Sequence, residues 1–199
     1  MKEKISAIVI AKNEEKMIAE CLQSLSFCDE VVVIDDGSID HTRKIAEQFT
    51  RQIFSPIDKS VGYVEAVRHF ALQKAKFDWV IFVDADERPD KNLAAAIKEI
   101  LENPQAEAYK VTRKNFYLGN HSWPTVDILE RVFRKGAIKD VNWQLHTSPS
   151  IVGEIPVQKG YLNHFTHQNL SWMVDKTIQW STIEAKLRFE SHHPRMTWW

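Results

Sequence analysis

The sequence predicts an α/β fold: a doubly wound, mostly parallel sheet with helices on both faces, then a smaller mixed region and a C-terminal helix. Three observations carry this. ISAIVIA, EVVVID and DWVIFVD are unbroken apolar runs, the pattern of strands buried on both faces of a parallel sheet. Stretches with helical spacing separate them and supply the right-handed crossovers such a sheet needs. Beyond Ala108 the runs give way to alternating pieces with glycine turns, as in strands with one face in water.

Ile5 to Ala11 is the first strand, rich in β-branched residues, and Asn13-Glu14-Glu15 opens a helix carried by Met17, Ile18, Cys21, Leu22 and Leu25. Glu30 to Asp35 repeats the strand, and Asp40 to Phe49 the helix, with Asp40 as its N-cap. Arg51 to Ser55 reads as a short strand, and Ser60 to Lys76 as a helix spaced by Val64, Val67, Phe70, Ala71 and Leu72. Asp78 to Asp84 is a third apolar strand, after which Pro89 and Asp90 start a helix that reaches about Leu101 and stops at Asn103-Pro104. AYKVTRKNFYLG, ILERVFRKG and SIVGEIPV are the alternating pieces, and Leu170 to Glu190 is the final helix. No repeat or flexible linker divides the 199 residues, so one domain is expected: residues 1–107 as its first half, 108–199 packed on it.

The composition is that of a soluble globular protein, 44% apolar and 27% charged, with a net charge of −1 that argues against a nucleic-acid partner. Lys110 to Asp140 departs from this balance, with seven basic residues against three acidic ones, a face that is either solvated or suited to an anionic ligand. Cys21 and Cys28 lack CxxC spacing and are read as small core or near-surface residues. The amino terminus has no signal-peptide pattern and no stretch is long enough to span a bilayer, which places the protein in the cytoplasm.

In open α/β sheets ligands sit beyond the carboxyl ends of the strands. Here three strands end in AKNEE, DDGS and DADE. A turn is the ordinary use of Asp-Gly, but together these ends bring Glu14, Asp35, Asp36, Asp84 and Asp86 to one rim, a crowding that calls for a cation or a donor-rich ligand. Asp84 and Asp86 are two apart, so on extended backbone they share a side about 6.6 Å apart. Mg²⁺ is commonly held by one or two carboxylates plus substrate phosphates, and no glycine-rich phosphate loop is present. A nucleoside diphosphate bridged by such an ion accounts for the rim.

ISAIVIAKNEE, VVVIDDGSIDHT, VGYVEAVRHFAL and WVIFVDADERP, in this order, resemble the family 2 glycosyltransferases of GT-A fold, in particular lipopolysaccharide-core glucosyltransferases and related short bacterial enzymes. The resemblance continues more loosely through YLGN, DILERVFRKG, LHTSPSIVGEI and WSTIEAK. It implies an inverting, Mg²⁺- or Mn²⁺-dependent transfer of a hexose from a nucleotide sugar, a UDP-sugar foremost, to a saccharide or lipid-linked acceptor, with the protein peripheral on the inner face of the cytoplasmic membrane. Asn13, Glu14 and Asp36 would contact ribose and base, Arg68 would reach the nucleotide, Asp84 would face the ribose and Asp86 the metal; Asp35 is structural or stands behind Asp36.

For the base that deprotonates the acceptor hydroxyl, the resemblance points to Asp127, whose alternative role is a solvated loop or strand-capping residue. Arg131 would pair with a diphosphate or acceptor phosphate, or form a salt bridge with Glu130 or Asp127. Similar enzymes carry His-Glu where this chain has His146-Thr147, which leaves His146 as the expected third metal or diphosphate ligand, with His164 and His167 as alternatives. Trp172 and Trp180 fit a helix docking on the domain. The terminal Trp198 and Trp199 fit either a lipid interface or a shortened chain, since similar enzymes continue further. Two other functions stay open: a sugar-phosphate nucleotidyltransferase, although AKNEE lacks that class's glycine-rich loop, and a nucleotide-sugar-binding module without catalysis.

Overall fold

The computed structural model describes residues 2–56, 64–119, 121–138, 151, 153–166 and 169–190. Its strands are β1 (Ile5–Ala11), β2 (Glu30–Asp35), β3 (Ile53–Phe54), β4 (Trp79–Asp84), β5 (Glu87–Pro89), β6 (Ala108–Tyr117), β7 (His121–Arg134) and β8 (Val157–Phe165). The helices are α1 (Ile18–Ser24), α2 (Thr42–Ala46), α3 (Val64–Lys74), α4 (Lys91–Glu102) and α5 (Leu170–Glu190). The strands form one sheet in the order β3-β2-β1-β4-β7-β6-β8-β5. The first four are mutually parallel; β7 joins antiparallel to β4, and β6 then pairs β7 antiparallel and β8 parallel.

Alternation along β1 explains its apolar run. Ile5, Ala7, Val9 and Ala11 bury against Ile18, Cys21 and Leu22 of α1 and Leu93 and Ile97 of α4. Ile8 points the other way, into a second cluster with Val67 and Ala71 of α3 and with Val32, Val80 and Phe82 of its neighbouring strands. Both faces of the sheet are thus covered. Cys21 lies in the first cluster, and both cysteines are free thiols.

The register sets the rim. Ala11 is level with Asp35, and Ile10 with Asp84, so β1, β2 and β4 stop at one height. β7 starts beyond that edge and descends to pair Val132, Phe133 and Arg134 with Ile81, Val80 and Trp79. Its upper half stands above the rim.

Several boundaries differ from the sequence reading. β7 begins at His121 rather than near Ile128, because pairing with β6 carries the strand through polar residues and Pro124; proline is tolerated where a strand has an open edge or irregular register, and the β6–β7 register shifts nearby, between Lys114 and Phe116. β8 occupies Val157 to Phe165, beyond the piece expected to end at Val157. β5 interposes Glu87–Pro89 before α4. α2 is shorter than expected, with Asp40 just before it accepting a hydrogen bond from Thr42 N at 2.9 Å. Asp90 caps α4 as its spacing predicts, accepting from Leu93 N at 2.8 Å.

Gly160 of β8 crosses the first turn of α4 with φ +89, where a Cβ would collide with Leu93 N and lie 2.7 Å from both the Asn92 carbonyl carbon and Asp90 Oδ1. Left-handed strain and overpacking add. Gly160→Ala is expected to lower stability by about 3 kcal/mol or more, read from denaturant midpoints; an unchanged midpoint would contradict this contact.

Candidate active site

Two rim loops are tied together. Asn13 N donates to Ser38 Oγ at 3.0 Å, and Ile39 N donates back to Asn13 Oδ1 at 2.9 Å. Glu14 N donates to Thr42 Oγ1 at 2.7 Å and Glu15 N to Asp40 Oδ2 at 3.1 Å. Asn13 holds φ 56 and Gly37 φ 78, left-handed conformations that asparagine and glycine adopt at least cost. Asp35 is buried, and its Oδ1 accepts from Ser38 N at 2.9 Å, so it shapes the DDGS turn. Asp36 is partly exposed and faces Lys12 Nζ at 3.2 Å. Asn13, Glu14 and Asp36 therefore stand on one rim.

At the end of β4 the acidic residues meet arginines. Arg131, buried on β7, donates through one nitrogen to Asp84 Oδ2 at 2.9 Å and to Glu87 Oε1 at 2.8 Å. Glu87 is fully buried; its Oε1 also accepts from Arg113 at 3.2 Å, and its Oε2 from Asp84 N at 3.0 Å. Burial would raise the Asp84 carboxyl, but the charges of Arg131 and Arg68 and the Arg131 hydrogen bond hold it well below the usual aspartate range. Burial pushes Glu87 the other way, above its usual range, against the pull of Arg131 and with the Asp84 charge adding to the rise. Arg68 of α3 lies over the Phe82 ring, 5.6 Å from its centroid.

A second line runs from Asp127 to Asp86. Asp127 is not a loop residue; it stands on β7 opposite Arg113. Its Oδ2 accepts from Arg113 Nε at 3.1 Å, Arg113 Nη2 at 2.9 Å and Asn115 Nδ2 at 2.9 Å. The Asn115 hydrogen bond, then those of Arg113, lower its pKa against the opposing effect of partial burial. Asn115 Oδ1 lies 2.7 Å from His164 Nδ1, and His164 Nε2 lies 3.3 Å from Asp86 Oδ2. Asp86 is buried, and its carbonyl accepts from Phe165 N at 2.9 Å.

The structure thus assembles Asp84, Asp86, Asp127, Arg68 and Arg131 at the strand-end edge that also carries Asn13, Glu14 and Asp36. The crowding argument from the sequence needs correction. Arg131 and Lys12 already compensate Asp84 and Asp36, so acidity alone does not demand a metal; Asp86 and His164 are the pair whose chemistry suits one. His146 and His167 lie outside the described residues. Sequence reasoning missed Glu87, Arg113 and Asn115, although the i, i+2 spacing of Arg113 and Asn115 puts both on one strand face.

Residues 6–153 match the family model described as glycosyl transferase family 2. The chain belongs to glycosyl transferase family 2. Among the relatives of this glycosyltransferase, the lipopolysaccharide core biosynthesis glycosyltransferase LpsC of Rhizobium meliloti is 27% identical over 200 residues, covering 94% of this chain and 72% of LpsC. The crystal structure of Staphylococcus aureus TarS 1-349 in complex with UDP is similar at TM-score 0.54 and 26% identity, covering 68% of this chain and 48% of TarS 1-349. The complex of TarS 1-349 with UDP-GlcNAc gives TM-score 0.63 at 23% identity over 84% of this chain and 60% of that one, a likeness of fold. The glycosyltransferase spans half to three-fifths of these solved chains. Among its described residues no helix is long and apolar enough to cross a membrane.

Proposed function

We propose that the protein is an inverting, metal-dependent hexosyltransferase that uses a nucleotide sugar, a UDP-sugar foremost, and acts on a saccharide or lipid-linked acceptor in bacterial cell-envelope glycan of the lipopolysaccharide-core type. The observation that carries this reading is the polar network that starts at the Asp84–Asp86 rim and ends at Asp127 above it. The UDP complex of TarS supports the donor class, and the name of LpsC supports the acceptor class. The excess of basic residues over acidic ones in Lys110 to Asp140 suits a phosphorylated acceptor. On α5, Leu170, Val174 and Ile178 form an exposed stripe at i, i+4, i+8, which supports a peripheral contact with the inner membrane face.

Asn13, Glu14 and Asp36 would bind ribose and base, with Asp84 on the ribose side. Arg68 and Arg131 would hold the diphosphate through their planar guanidinium groups. The donor set fits a divalent cation: a carboxylate oxygen and an imidazole nitrogen lie 3.3 Å apart; the carboxylate suits Mn²⁺ or Mg²⁺, and the imidazole favours a transition ion such as Mn²⁺ over Mg²⁺. Among the described residues no group of three such side chains forms; Mg²⁺ sites commonly complete their coordination with substrate phosphate and water. Of the histidines weighed from the sequence, His164 is the described one beside Asp86; His146 would remain a further ligand. Bound, the cation supplies charge for the departing diphosphate. Asp127 is ionised at neutral pH and takes the proton of the acceptor hydroxyl; the contacts that lower its basicity also fix its position.

The test is release of UDP from a panel of UDP-sugars with Mn²⁺ or with EDTA. Activity is expected only with the metal, and Asp86→Ala is expected to weaken Mn²⁺ binding at least about tenfold. Equal rates in EDTA would overturn the metal assignment.

A further inference from the structure

The hydrogen-bond pattern around Asn115 admits one reading of the amide. Asn115 stands on β6 level with His164 on β8, which is in turn level with Glu87 on β5. Three strands thus place Glu87, His164 and Asn115 in one transverse row on one face of the sheet. An ionised carboxylate only accepts, so the nitrogen at 2.9 Å from Asp127 Oδ2 must be the amide NH₂. The oxygen then faces His164 Nδ1 at 2.7 Å, and an amide oxygen only accepts. His164 Nδ1 must carry a proton. In the neutral ring this leaves the lone pair on Nε2, 3.3 Å from Asp86 Oδ2, where two acceptors face each other and a cation or a second ring proton has to stand between them.

We propose that Asn115 is a positioning residue that couples the two ends of the site, its carbonyl oxygen fixing the tautomer and orientation of His164 and its NH₂ fixing Asp127. This rests on the reading that Asp86 and His164 hold the divalent cation and Asp127 is the base, yet its first consequence does not depend on either role. A metal-ligating histidine is oriented by the hydrogen bond of its other ring nitrogen, and loss of that bond costs about 10–100-fold in metal affinity. Here the same side chain also holds the carboxylate that receives the proton. Neither contact alone would tie the base to the metal side; the amide does so because it presents an acceptor and a donor from one rigid plane.

Two variants separate the halves. Asn115→Ala removes both contacts, whereas Asn115→Asp keeps an oxygen for His164 and turns the donor to Asp127 into a repelling carboxylate. Three readouts apply: the ring ¹⁵N signals of His164 at alkaline pH, Mn²⁺ binding by electron paramagnetic resonance, and kcat against KM for the donor. Wild type is expected to show the Nδ1–H tautomer, and Asn115→Ala to lose it and to bind Mn²⁺ about 10–100-fold more weakly. Asn115→Asp is expected to keep tautomer and Mn²⁺ affinity while kcat falls with donor KM unchanged. A wild-type Nε2–H tautomer, or Mn²⁺ affinity unmoved in Asn115→Ala while His164→Ala loses it, would overturn the coupling. If His164→Ala leaves Mn²⁺ binding intact, the metal assignment fails, and with it the coupling, while the tautomer result still reports whether Asn115 orients the ring. Equal losses of kcat and Mn²⁺ affinity in the two variants would show a merely structural role.

Discussion

Replacing Asp127 with asparagine is expected to lower turnover by about 10²–10⁴-fold, the ordinary contribution of a general base, with donor affinity unchanged. The substitution is nearly isosteric, and an amide oxygen can still accept from Arg113 and Asn115 as Asp127 Oδ2 does. What disappears is the capacity to take a proton. The pH dependence carries a second signature. Asp127 works as a base only when ionised, and Asn115 and Arg113 lower its pKa, so with Mn²⁺ kept saturating its limb of kcat/KM should fall only below the ordinary aspartate range. Arg113→Met should move that acid limb upward. A near-normal rate in Asp127→Asn would exclude it as the base.

Arg131→Met is expected to cost about 3–5 kcal/mol of stability, the usual penalty for stranding one member of a buried ion pair. Arg131 and Glu87 are almost wholly buried, at 5% and 0% exposure, and Arg131 serves Glu87 and Asp84 at once. Without the guanidinium, the Glu87 carboxyl rises further above its unfolded value. A raised folded pKa favours the native state below the unfolded pKa and loses that advantage as pH climbs, so the deficit should shrink toward about pH 5. Adding Glu87→Gln should recover more than half of the loss, since the buried charge then left to Arg113 alone is gone. Thermal melts of the single and double variants decide this; a single variant as stable as wild type, or a double variant no better than the single one, would contradict the pairing.

The parallel half of the fold was legible because burial on both faces writes itself into consecutive residues. β1, β2 and β4 and the Asp90 cap of α4 are local signals, as is the turn role of Asp35. β7 was only half legible, since its upper part is polar and contains Pro124, and only its pairing with β6 makes it a strand. The core of the site was hidden for the same reason. Glu87 meets Arg113 across 26 residues and Arg131 across 44, and Asn115 meets His164 across 49; sheet register creates these contacts. DADE ended a strand visibly, but nothing local marked Glu87 as its most buried carboxylate.

The backbone twist at Asn13 bears on how binding studies of this rim should be interpreted. Because that side chain carries the Ile39 amide while its own amide leans on Ser38, the AKNEE and DDGS segments form one clasp. Trimming Asn13 to alanine would loosen Asp36's surroundings even if the asparagine never touches a nucleoside, so side-chain deletions across the clasp will not sum. Affinity lost at one segment measures the integrity of both.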